Sequence, residues 1–140
     1  MKNYLFALLI FFTATALAQT DTRIYDIIQK VSAKNIEADI TTLANFGTRN
    51  TFSDTLSSTR GIGAARRWIK AEFQQISSNC TNCLEVFCQK DLVKAATSKR
   101  VPKDTWVVNV VAIQKSKTGS NRYIIISGDI DSRNSDGSDF

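Results

Sequence analysis

The sequence predicts an α/β domain, and three observations predict it. Apolar residues recur at spacings of three and four through the first half of the chain, the mark of amphipathic helices. In the second half they alternate or run together, as in strands. The last such run ends in Ser127-Gly128 and delivers two aspartates, Asp129 and Asp131, where a strand of an α/β sheet would carry a ligand site.

Ahead of the domain stands an export signal. Lys2 gives a positive start, Leu5 to Phe12 is an unbroken apolar run, and Ala16-Leu17-Ala18 is a small-residue cleavage site. Crossing a bilayer takes about 20 apolar residues. Here Thr13 and Thr15 interrupt and Gln19-Thr20-Asp21 follows, so no stable membrane anchor is expected. No cysteine follows the cleavage site to take a lipid. Residues 1–18 are therefore expected to be removed near Ala18, leaving residues 19–140 to work in the periplasm or outside the cell.

From Asp21 the chain reads as helix, with Ile24, Ile27, Ile28 and Val31 on one face. A second helix carries Ile36, Ile40, Leu43 and Phe46, and Gly47 is placed to end it in the left-handed conformation. Both stripes are expected to face a core. Thr48 to Thr59 is a polar connection. A third helix follows with Ile62, Ala65, Ile69, Phe73 and Ile76, and Thr59 is its expected N-cap. Gly61-x-Gly63 does not follow a strand and has no third glycine, so it is read as room for close packing, not as a dinucleotide site.

Leu84, Val86 and Cys88 then alternate with Glu85, Phe87 and Gln89, as in a strand with one wet face. After a polar loop to Asp104 come two nearly continuous apolar runs, Trp106 to Ile113 and Tyr123 to Ile126. Such runs are expected as interior strands covered on both sides. The residues after Ile126 are mostly polar, so the covering layers are expected from a continuation beyond Phe140.

Composition removes several functions. The chain of 140 residues carries +5. Lys90, Lys94, Lys99, Arg100 and Lys103 lie in a polar stretch without aromatic partners, which is a solvated surface and not a nucleic-acid groove. Histidine is absent, so neither a Ser-His-Asp nor a Cys-His site can be assembled from these residues, and any metal must be held by oxygen or sulfur. The three cysteines lack the second ligand pair of a zinc site. In an exported chain a local Cys80–Cys83 disulfide is expected, with Cys88 left over or buried in a strand. Asn79-Cys80-Thr81 also matches a glycosylation acceptor, in competition with that disulfide.

The chemistry-bearing segment is Ser127-Gly128-Asp129-Ile130-Asp131-Ser132-Arg133. Carboxylates two positions apart at a strand end can hold a divalent cation, one as ligand and one orienting it. The same residue types also make ordinary turns. Asp136 and Asp139 add acids nearby, but Arg133 and Asn134 break the calcium-loop pattern.

Four blocks carry a family resemblance: Phe46-Gly47-Thr48-Arg49; Ser58-Thr59-Arg60-Gly61-Ile62-Gly63-Ala64-Ala65-Arg66-Arg67-Trp68-Ile69; Trp106-Val107-Val108-Asn109-Val110; and Ile126 to Arg133. In this order and spacing the chain resembles the opening of the co-catalytic zinc aminopeptidases. That is metallopeptidase family twenty-eight, the group of secreted leucyl aminopeptidases and glutamate carboxypeptidase. The resemblance implies a three-layer α/β/α sandwich with a central mixed sheet, present here as its N-terminal portion. It also implies two divalent ions, zinc or manganese, and a peptide or protein substrate cut at its N-terminus by a metal-activated water.

By position, Asp129 stands where the family has a histidine ligand, and Asp131 matches the aspartate that supports it. Asp129 is thus the expected metal ligand and Asp131 the expected supporting residue. The substitution puts harder oxygen in place of imidazole and removes the ring N–H that Asp131 would accept. The remaining ligands and the general base are expected beyond Phe140, so the chain alone is expected to be inert. Two further readings follow: a non-catalytic binding module that kept the peptidase fold, and a glutaminyl cyclase, which shares it. Arg133 and Arg49 are read as structural charges.

Overall fold

A computed structural model describes residues 21–95, 97 and 99–132. The export signal, Arg133, Asp136 and Asp139 lie outside the described residues. Among the described residues no helix is long and apolar enough to cross a membrane. The chain divides into two units, residues 1–39 and 40–140.

In the first unit, α1 spans Thr22–Gln29. Asp21 caps it: its carboxylate accepts the Arg23 backbone N–H at 2.9 Å and holds the Arg23 guanidinium at 2.7 Å. Helix α2, Ala33–Asn45, begins here and runs into the second unit. The helices stand where the periodicity put them, but the expectation that both stripes face a core is met only at the end of the second, where Leu43 and Phe46 are half-buried. Ile24, Ile27, Ile28 and Val31 are 56–66% exposed, and Ile36 and Ile40 are exposed as well.

In the second unit α2 ends as expected. Gly47 adopts φ +66° and donates to the Ala44 carbonyl at 3.0 Å. Next come α3, Gly61–Asn79, β1, Leu84–Val93, and β2, Thr105–Gln114. The strands form an antiparallel pair running from Leu84↔Gln114 to Val93↔Thr105. Leu84, Val86 and Cys88 are half-buried while Glu85, Phe87 and Gln89 are exposed, the alternation the sequence predicts. Salt bridges flank both ends of the ladder, Lys115–Glu85 at 3.4 Å and Lys94–Asp104 at 2.8 Å. The result is a small mixed α/β structure of three helices and two strands among the described residues.

Two expectations about strands are corrected. Tyr123–Ile126 belongs to no strand, and its side chains are 84–93% exposed. Strand β2 is not covered on both sides either, since Trp106 and Ile113 remain exposed. An isoleucine run lowers the free energy as a strand only when neighbours pair its backbone and cover its faces. The described residues supply neither for Tyr123–Ile126.

The core lies at the start of α3. Ile62, Ala64 and Ala65 are its buried apolar residues, with Gly61 and Gly63 buried beside them. Phe46 and Trp68 close one side, their rings 6.2 Å apart and tilted by 55°. At the far end of α3, buried Ser77 donates to the Leu84 carbonyl at 3.0 Å and accepts the Leu84 N–H at 3.1 Å, tying helix to strand. Between them Cys80 and Cys83 form the expected disulfide, and Cys88 is a free thiol in β1. Thr81 and Asn82, inside the bridge, both take positive φ. Asn79, of the glycosylation match, ends α3 and accepts from Gln75 at 3.3 Å.

Candidate acid segment and its clamp

The site is built from the polar connection between α2 and α3. The first helical N–H groups of any helix lack partners within it. In α3 the preceding connection partners the first three: Gly61 N–H donates to the Phe46 carbonyl at 2.9 Å and Gly63 N–H to the Asp54 carbonyl at 3.0 Å. Ile62 N–H donates to the Ser53 hydroxyl at 3.0 Å. Ser53 is buried, and its hydroxyl donates onward to the Asn50 carbonyl at 2.6 Å. The expected cap, Thr59, is replaced by a serine from nine residues ahead of the capped amide. Arg60 occupies the cap position without a side-chain bond.

Gly61-x-Gly63 is explained by this contact. A Cβ on Gly61 would lie 2.4 Å from the Asp54 carbonyl oxygen, and one on Gly63 would lie 2.2 Å from that of Thr55. The glycines admit the loop backbone. Arg67 then reaches back and donates to the Thr55 carbonyl at 3.1 Å and to that of Ser57. Asp54 fixes the turn by accepting the N–H groups of Leu56 at 2.8 Å and Ser57 at 2.9 Å. The bonds from Ser57 and then Leu56 hold its carboxyl below the usual range.

This locked loop begins with Arg49, and Arg49 grips the acid segment. Its backbone N–H donates to the Ser132 hydroxyl at 2.8 Å, and Nε donates to the Ile130 carbonyl at 3.0 Å. Its Nη1 donates to the carbonyl of Leu43, in the last turn of α2, and more weakly to that of Gly47 at 3.4 Å. Helix-end carbonyls are unpaired within the helix and attract cations, so the guanidinium satisfies one terminus while holding the segment. Two of the blocks that carry the family resemblance are thereby joined across more than 80 residues.

Asp129 and Asp131 are both exposed, while Ile130 and Ser132 between and beyond them are half-buried. No hydrogen bond or ion pair among the described residues engages the Asp129 carboxylate. Asp131 lies within the field of Arg66 on α3. Burial pulls the Arg66 guanidinium below its ordinary value, and Cys88 and then Asp131 oppose that shift. The Arg66 Nε is buried without a hydrogen-bond partner. Neither Arg49 nor Arg66 was assigned a role in the site from sequence. The Phe-Gly-Thr-Arg and Ala-Arg-Arg-Trp blocks contain them, but nothing local says that they converge on residues 130–132. A shallow cleft near the other end of α3 is lined by Gln74, Ser77, Asn82, Leu84 and Val86 and contains none of these groups.

The residues present do not by themselves fit a zinc centre. Zinc sites take about four ligands of nitrogen, sulfur or oxygen. Among the described residues no three of His, Cys, Asp or Glu come together. The segment offers oxygen donors and no more.

No family model and no solved structure matches the chain. Curated proteins do. A probable zinc metalloprotease of Leptosphaeria maculans is 38% identical over 120 residues, covering 86% of this chain and 27% of that protein. One of Pyrenophora teres is 38% identical over 116 residues, covering 83% and 24%. One of Pyricularia oryzae is 33% identical, covering 83% and 23%. The chain spans about a quarter of the length of the curated relatives it matches. Over more than four-fifths of its own length, it is a homologue of proteins named probable zinc metalloprotease.

Proposed function

We propose that this chain is part of a zinc-dependent exopeptidase, an aminopeptidase that removes residues from the free N-terminus of peptides. The observation that carries this reading is the fixed acid segment. Asp129 and Asp131 stand exposed on a backbone anchored at Ile130 and Ser132, and the chain is similar to proteins named for zinc and proteolysis. In this reading Asp129 offers a carboxylate oxygen to a metal ion, and Asp131, balanced by Arg66, supports it. The wider proposal includes a pair of divalent ions, zinc or manganese, held mostly by residues of the whole protein outside this chain. A metal there would polarise the scissile carbonyl and supply a nucleophilic water. This chain's own part is to present the acids.

Export to the periplasm or the medium belongs to the same proposal. The Met1–Ala18 pattern and the Cys80–Cys83 bridge support it. Sequencing the mature N-terminus tests this part, and a start near Gln19 is the expected result.

The functional test is hydrolysis by the whole protein of a peptide series with free and acetylated N-termini, with and without a chelator. Release of the first residue only from free N-termini, abolished by chelation and restored by zinc, is the expected outcome. Cleavage indifferent to acetylation would leave a protease but remove the aminopeptidase. A folded protein without peptidase activity would favour a non-catalytic module, the reading that the missing histidine also motivates. Release of ammonia from N-terminal glutamine would favour a glutaminyl cyclase.

A further inference from the structure

We propose that the loop end of the β1–β2 ribbon is a peripheral docking surface for anionic phospholipid bilayers. The proposal does not depend on the reading of the acid segment. It starts from a local imbalance of charge. Between Lys90 and Asp104 stand five cations, Lys90, Lys94, Lys99, Arg100 and Lys103, and two carboxylates, Asp91 and Asp104. Asp104 is engaged at the base of the loop, where its carboxylate accepts the Lys94 ammonium and the Ala95 backbone N–H, each at 2.8 Å. Thr97 adds a second tie, its backbone N–H donating to the Lys94 carbonyl at 3.3 Å. Lys90, Lys99, Arg100 and Lys103 are exposed.

Any anionic partner would answer a charge excess. What selects a bilayer is the apolar pair beside it. The basic stretch has no aromatic neighbour in sequence, but strand pairing supplies one. Leu92 stands directly opposite Trp106, and Lys90 opposite Val108. Residues paired in this way share one face of a ribbon, as do positions two apart, so Trp106, Leu92 and Lys90 lie on the same side. Trp106 is 56% exposed and Leu92 40%. Leu84, Val86 and Cys88 on that side are half-buried, so its apolar exposure is confined to the loop end. An indole and a leucine suit the boundary between headgroups and acyl chains, while lysines on long apolar stems reach lipid phosphates. Attachment of this kind needs no spanning helix.

The test uses the whole protein and vesicles of two compositions, pure phosphatidylcholine and an equal mixture with phosphatidylglycerol. Partitioning is measured by co-sedimentation, and tryptophan emission is followed in the same samples. Each cation near an anionic surface is worth about fivefold in partitioning, so the anionic vesicles are expected to bind on the order of 100-fold more tightly. Release is expected in 1 M NaCl, where the screening length falls to about 3 Å. Lys99→Gln with Lys103→Gln is expected to weaken binding about 25-fold. Lys117→Gln, in the turn beyond the other end of β2, removes the same kind of charge and is expected to leave it within about twofold. A blue shift of emission on anionic vesicles is expected to be lost in Trp106→Phe, since Trp68 is packed against Phe46.

Equal partitioning to the two vesicle types, or to neither, would overturn the proposal. So would a Lys117→Gln effect as large per charge as that of the loop lysines, which would make the attraction a property of the whole surface. An unchanged blue shift in Trp106→Phe would show that the ribbon does not enter the interface. Soluble polyglutamate that binds as tightly as the vesicles at equal charge concentration would make the loop a general anion surface and remove the bilayer. The lysine substitutions are at exposed positions, and circular dichroism checks that each variant is folded.

Discussion

The start of α3 and the Tyr123–Ile126 run are both apolar segments that the sequence marks for burial, and they meet opposite fates. Ile62 is 1% exposed, with Ala64 and Ala65 beside it and the first three amides of the helix partnered. Ile124 and Ile126 are each 93% exposed. The difference is not in hydrophobicity, since three consecutive isoleucines exceed anything in α3. It lies in partners. The first turn of α3 is met by a loop that immediately precedes it and is folded back by Ser53, Asp54 and Arg67. An apolar pattern states what a segment needs, and only the rest of the chain states whether it is supplied.

Substitutions break or sharpen this contrast. The largest effect is expected at Ile62: Ile62→Ala removes the largest fully buried side chain and is expected to cost about 3 kcal/mol in urea unfolding. Next comes Gly63→Ala, whose Cβ would meet the Thr55 carbonyl oxygen at 2.2 Å. Forced separation of loop and helix is expected to cost about 2 kcal/mol. Ser53→Ala leaves the Ile62 N–H buried without its acceptor, and a loss of about 1–2 kcal/mol is expected by the same measurement. At the exposed run, Ile125→Asp is expected to stay within about 0.5 kcal/mol of wild type in this chain. A large loss there in the whole protein would mean that the run is buried by residues outside it.

The smallest effect is a pH dependence. The Asp54 carboxyl is held low by the amides of Ser57 and Leu56. A depressed carboxyl contributes stability above its unfolded value and loses it as pH falls through the folded one. Acidification below the ordinary carboxylate range is therefore expected to loosen the turn slightly, and Asp54→Asn is expected to flatten that response in a melt-versus-pH series.

The sequence showed what was local. Periodicity of three and four located the helices, Gly47 its left-handed cap, and alternation at Leu84–Gln89 the wet face of β1, because each depends on neighbours within one turn or one strand. Cys80–Cys83 was legible for the same reason. The Ser53 cap was not, since a serine in a polar stretch carries no sign of the amide it will meet. Nor was the Arg49 clamp, whose partners lie 81 and 83 residues away. The acid pair could be singled out by its place after an apolar run. Its anchoring through Ile130 and Ser132, and the half-buried Arg66 whose charge Asp131 feels, emerge only when distant blocks fold together. The uncovered stripe of α1 marks the same limit from the other side.

The most direct test of the central claim is elemental analysis for zinc on the purified whole protein and on Asp129→Ala, each verified as folded by circular dichroism. Near-stoichiometric zinc in the first and a clear loss in the second is the predicted result. A folded wild type free of metal, or a variant that keeps its full complement, would contradict the claim that this segment presents a metal ligand.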